Sequence, residues 1–168
     1  MAKYTGSGKV ESNDFHKVKW VGVTKAGNAI TIELEKAINM GDIDLSFLEK
    51  GETVAQIVMT AVYKNTDNIS DDTTEPWTLD VNGELLKPSG EIILGVGKFY
   101  IDDQMIALTR GGGNFNVKRT WRNINADGDR GPVEDRITID ESVASLTMNS
   151  LQILSKFKSL YAGIKQLE

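Results

Sequence analysis

The 168-residue sequence predicts a mainly β fold, an antiparallel β-sandwich or barrel with one flanking C-terminal amphipathic α-helix, on three observations. Several short segments alternate apolar and polar residues with the two-residue period of a half-buried strand. Clusters of Gly, Asn, Asp and Pro separate them. A single stretch near the end repeats its apolar residues every three or four positions. This length makes one domain, 1–168, able to bury about two-thirds of the surface its unfolded form exposes.

Residues 1–14, rich in Gly, Ser, Lys and Asn, read as a flexible arm. Val18 to Val23 is β-branched and strand-like. Lys25-Ala26-Gly27-Asn28 is turn chemistry, and Ala29 to Glu35 then puts Ile30, Ile32 and Leu34 on one face, so the two strands read as a hairpin. Residues 36–52 are mixed, with Asp42, Asp44 and Phe47 on either a short helical turn or an excursion that carries apolar anchors. Thr53 to Tyr63 is the most apolar strand and is expected to lie centrally. The acidic run Asn65 to Pro76, with Asp71 and Asp72, reads as an exposed loop. Trp77 to Val81 resumes the alternation.

Asn82-Gly83 and Lys87-Pro88-Ser89-Gly90 form a linker-like connection, 82–90, between two β halves. Ile92 to Ile101 opens the second half, Arg110-Gly111-Gly112-Gly113-Asn114 breaks it, and Phe115 to Trp121 restarts it. A loop over Asn123 to Pro132 leads to a strand at Arg136 to Glu141. Leu151, Leu154, Phe157, Leu160 and Tyr161 then predict the helix, with Asn149 as its N-cap and Gly163 as its stop.

Composition narrows the function. Apolar residues are 40% and charged residues 26%, ordinary for a globular protein. No apolar run approaches the roughly 18 residues of a membrane span. Met1 to Gly8 lacks the apolar core of a signal peptide, so the chain is expected to be made and folded in a cytoplasm. Cysteine is absent, which removes thiol chemistry, and His16 is the sole histidine. A net charge of −5 argues against a sequence-independent grip on nucleic acid, which needs cationic surface to displace phosphate counterions.

The motifs that invite chemistry each fail a physical requirement. A phosphate loop needs Gly-Lys-Ser/Thr leading into a helix, whereas Gly113 is followed by Asn114 and Phe115. Lys3 stands where Gly6-Ser7-Gly8-Lys9 would need its leading glycine. Asn123 to Glu134 nearly spaces a calcium loop, yet it opens on a neutral Asn, includes Arg130 and Pro132, and has strand-like flanks instead of helices. Asp71-Asp72 and Asp102-Asp103 read as solvated charges, and Trp20, Trp77 and Trp121 as core or subunit contacts. The expectation is no enzyme, no cofactor and no metal. The chain's work is to bind copies of itself, with Asp42, Asp44, Phe47, Asp71, Asp72, Arg110, Gly112 and Asn114 on the candidate assembly loops.

Two stretches carry a resemblance. Val18 to Tyr63 with Glu75-Pro76-Trp77 resembles the later part of major tail or tail-tube proteins of long-tailed bacteriophages. Gly90 to Ile101 with Ile106 to Ile139, containing GKFYID, the Gly-rich segment and a DG..GPV loop, resembles their opening part. The resemblance implies a virion structural protein of the phage tail, stacked as hexameric rings through contacts with its own copies and with other tail proteins. DNA would be passing cargo in the channel, not a specifically bound partner, and no membrane would be involved. The order of the two parts is reversed, which implies a circularly permuted chain whose tube-forming step is impaired. The alternative from another class is a stand-alone β-sandwich binding module for carbohydrate or calcium-dependent attachment.

Overall fold

The computed structural model describes residues 3–41, 54–63, 75–83, 93–106, 109–128, 130–151 and 160–167. The strands are β1 (Lys3–Gly6), β2 (His16–Thr24), β3 (Ala29–Asn39), β4 (Ala55–Ala61), β5 (Trp77–Val81), β6 (Ile93–Ile101), β7 (Gln104–Met105), β8 (Thr109–Asn123), β9 (Ile137–Ser150) and β10 (Ile164–Leu167). The protein is mainly β, and its main body is one antiparallel sheet of order β7-β6-β2-β3-β4-β9-β8. β5 pairs with the first half of β3, Leu34 opposite Trp77 and Ile30 opposite Val81. β4 takes the second half of the same edge, from Ala37 to Asn39. β1 and β10 form a separate two-stranded sheet.

Alternation builds the core as expected on β3, where Ile30, Ile32 and Leu34 are all buried. β4 lies between β3 and β9 and contributes Ile57 and Met59, both wholly buried. Val18, Phe99, Ala144, Leu146 and Met148 join the cluster from β2, β6 and β9. The turn between β2 and β3 is closed by Thr24, whose hydroxyl accepts the Asn28 amide, with Gly27 at φ +86. Trp20 lies across a glycine pair: Gly22 and Gly97 face each other in the ladder, and a Cβ on either would run into the indole. Two small residues thus make the slot that one large ring fills.

The sheet bends over its core. Trp77 on β5 meets Phe115 on β8 with ring centroids 5.4 Å apart. Gly113 on β8 approaches Phe99 on β6 so closely that an added Cβ would lie 2.5 Å from the ring.

Several expectations need correction. Of residues 1–14, read as a flexible arm, residues 3–14 are described and hold β1 and a 3-10 turn over Ser12–Asp14. The Arg110 to Asn114 break is part of β8, absorbed by a bulge between Thr109 and Gly113 with Gly112 at φ +77. β9 runs on to Ser150, so Asn149 is a strand residue opposite Gln56 and cannot cap a helix. Residues 152–159, with Leu154 and Phe157, lie outside the described residues. Leu160 and Tyr161 are buried, and Gly163 has φ +69. Of the 82–90 connection, only Asn82 and Gly83 are described, following β5, with Gly83 at φ +111.

Candidate functional site: the β8–β9 hairpin

β8 and β9 are the longest strands, at 15 and 14 residues, and only the inner part of their ladder is covered. β4 pairs with β9 from Ser145 to Ser150, and beyond Ser145 the hairpin has no other strand partner among the described residues. Its inward face runs along β8 through Phe115, Val117, Arg119 and Trp121, every second residue. Phe115 and Val117 pack on the core cluster. Trp121 does not reach it and is 59% exposed.

A bulge explains why the apolar stripe persists past the body. Thr120 pairs with Glu141, and the next residue, Trp121, pairs with Ile139, so Asp140 is passed over. That slip places Ile139 and Ile137 opposite Trp121 and Asn123, on the same face. Trp121, Ile137 and Ile139 are all exposed, as is Ile124 just beyond. The displaced Asp140 pairs with Arg122 at 3.0 Å, which pins the bulge. At the tip, Asn123 Nδ2 donates to Asn125 Oδ1, and Glu134–Arg136 form a 3-10 turn that leads into β9.

One polar cluster ties the hairpin's root to β5. Arg119 donates from Nε and Nη2 to the two oxygens of Glu75, at 3.1 and 3.0 Å. The Trp77 indole N–H donates to the same carboxylate. The Arg119 guanidinium holds the Glu75 carboxyl below the ordinary carboxylate range, with the Trp77 bond adding to it. Glu75 in turn raises Arg119, while burial pushes the Tyr63 phenol up. A planar fork on a carboxylate fixes both partners' orientation, which suits a positioning contact.

The structure brings Arg110, Gly112 and Asn114 onto β8, at the end of that strand opposite the tip. They belong to a bulged strand, not a loop. Asp42, Asp44, Phe47, Asp71 and Asp72 lie outside the described residues. Among the described residues no group of three or more His, Asp or Glu side chains converges as a metal cluster would. The residues missed by sequence reasoning are Ile137 and Ile139. Their signal was their position beside Trp121 across a hairpin, which depends on a register that the bulge at Asp140 alters. Comparison with protein-family models, with curated proteins and with solved structures gives no match.

Proposed function

We propose that the chain is a structural subunit of a phage tail tube, which self-assembles into stacked rings around a channel for DNA and performs no catalysis. The observation that carries the reading is the projecting hairpin, whose inward face continues as exposed Trp121, Ile137 and Ile139. An apolar stripe that continues beyond the core has a use when a neighbouring subunit covers it. The long outer edge of β8 bears the exposed Lys118, which discourages random pairing of that edge with itself. The net charge of −5 suits a lumen that repels DNA by like charge.

The same reading includes a sandwich-type architecture with a helix packed on it, a place in the virion, and contacts with other tail proteins. It also includes a rotated chain order, with residues 90–168 as the first half and 1–82 as the second. The pairing of β1 with β10 supports that order, since these strands would then follow one another as a hairpin.

Negative-stain microscopy at several protein concentrations tests the proposal. Rings or tubes are expected as concentration rises, in this chain or, where the permutation impairs assembly, in a re-rotated version of it, and Trp121→Ala combined with Ile139→Ser should abolish them while leaving the monomer folded. Dispersed monomers at every concentration, in this chain and in a re-rotated version alike, would overturn it.

A further inference from the structure

We propose that Asn82-Gly83 is a self-modifying pair, at which the folded chain converts Asn82 to isoaspartate and aspartate without an enzyme. Its chemistry is independent of the tube reading, because it concerns a single peptide link.

Asparagine is a chemically labile residue. Its loss of ammonia needs a carboxamide, a following backbone nitrogen that can reach it, and water. Asn82 is the one asparagine in the sequence that glycine follows, and every other precedes a residue whose Cβ crowds that nitrogen. The fold leaves this pair open. β5 ends at Val81, and both Asn82 and Gly83 are exposed. The Asn82 amide donates to the Ala29 carbonyl at 2.8 Å, whereas the Gly83 amide has no acceptor among the described residues. The contrast with two other asparagines is direct. After Asn13, the Asp14 amide is tied to the Glu11 carbonyl, and after Asn123, the Ile124 amide is tied to the Arg136 carbonyl, both at 3.0 Å. Glycine is also what the backbone requires here, with φ +111 and Asn28 Oδ1 lying 2.6 Å from where a Cβ would stand. The turn therefore selects the residue that leaves its own nitrogen uncrowded.

Loss of the Gly83 amide proton lets that nitrogen attack Cγ of Asn82. The N–Cγ bond forms, the Cγ–Nδ2 bond breaks, and Nδ2 leaves as ammonia, which carries the proton away. Water then opens the cyclic imide at either carbonyl. Opening at Cγ gives aspartate. Opening at the backbone carbonyl gives isoaspartate, whose main chain runs through Cβ and Cγ. Nothing is oxidised or reduced. The Asn82 amide precedes the altered link, so its bond to Ala29 survives and β5 keeps its register. Each product adds a negative charge, and isoaspartate also lengthens the backbone where Gly83 meets Asn28.

Incubation of the intact protein in mildly alkaline buffer, then proteolysis and mass spectrometry, reads the conversion at each asparagine. Asn82 should convert several-fold faster than Asn125, which is also exposed but precedes Ala126. Isoaspartate should exceed aspartate, and the rate should rise with pH, since the attacking nitrogen must lose its proton. Asn82→Gln keeps the amide but must close a larger ring, and should abolish the conversion with no change in Tm. A sample unfolded in urea gives the rate of the pair without the fold. If Asn82 converts in urea but persists in the folded protein, the fold withholds the pair and the proposal fails. Equally slow conversion at Asn82 and Asn125 in the folded chain would also overturn it.

Discussion

Nδ1 of His16 lies 2.6 Å from Oδ2 of Asp102, tying the start of β2 to the turn that joins β6 to β7. The other carboxylate oxygen accepts the Lys17 amide at 2.9 Å, and the neighbouring Asp103 pairs with Lys19 at 3.0 Å. Both aspartates have left-handed backbones, φ 48 and 61, the conformation of a tight hairpin turn that Gly, Asn and Asp adopt most readily. Their side-chain bonds to His16, Lys17 and Lys19 add to that local preference.

Asp102→Ala removes both bonds and leaves a residue less tolerant of the left-handed region, so it should cost about 1–3 kcal/mol. Asp102→Asn keeps an acceptor and tolerates the backbone, and should cost less than half as much. Urea denaturation of the two variants beside the parent decides the matter. Equal losses would mean that the carboxylate contacts do not hold the turn.

Two glycines on β8 should respond to alanine for different reasons. At Gly113 the new Cβ would lie 2.5 Å from Phe99 Cζ and 2.5 Å from the Thr147 carbonyl oxygen. The second contact is backbone and cannot move aside, so Gly113→Ala should cost about 1–3 kcal/mol, and trimming Phe99 should not restore it. Gly112→Ala has open space but φ +77, and should cost about 1–2 kcal/mol from strain alone. Thermal unfolding of both variants, and of Gly113→Ala with Phe99→Leu, separates clash from strain.

The Glu75–Arg119 contact gives a pH signature. The carboxyl is depressed from its ordinary value of 4.5, so its stabilising contribution is fully present above that value. The contribution is lost as pH falls through the lower value in the folded protein. Glu75→Gln should destabilise by about 1–2 kcal/mol at neutral pH, since a charge-assisted fork is replaced by a neutral amide. The difference from the parent should shrink steadily below pH ~4.5. A gap independent of pH would assign the loss to packing of Trp77 instead.

The rotated chain order can be reversed in the laboratory. Lys3 stands opposite Leu167, so a short linker can join Glu168 to Lys3 without stretching the sheet. Opening that chain within 83–89 should give a soluble protein whose Tm lies within a few degrees of the parent's. Aggregation of the re-rotated chain would count against the permutation, and a gain of tubes would identify chain order as the switch for assembly.

Strand identity was readable wherever alternation met an ordinary turn. The β2–β3 hairpin is the clearest case, with Ile30, Ile32 and Leu34 inward and Gly27 in the turn. Alternation failed as a guide where a bulge changed the count, as at Gly112 and Asp140. It also continues through Ala144, Leu146, Met148 and Ser150, all buried. The helical spacing that starts at Leu151 concealed that run, because one apolar residue can belong to either period. Asp102-Asp103 carries no glycine, so the turn is set by the partners His16 and Lys19, distant in sequence. At the candidate site, Trp121 continues the period of Phe115 and Val117, but nothing in a strand's own sequence says where its covering layer stops.

The forked pairing of β3 has a kinetic meaning. Among the described residues, every ladder connection between β7-β6-β2 on one side and β4-β9-β8 on the other passes through this strand, and β5 hangs from it as well. The β2–β3 hairpin closes a short loop and can form early. β6 must then find β2, and β9 must find β4, across about half of the chain's length, and both wings meet only through β3. A one-residue slip there would turn Ile30, Ile32 and Leu34 outward at once and leave both wings without a common seam.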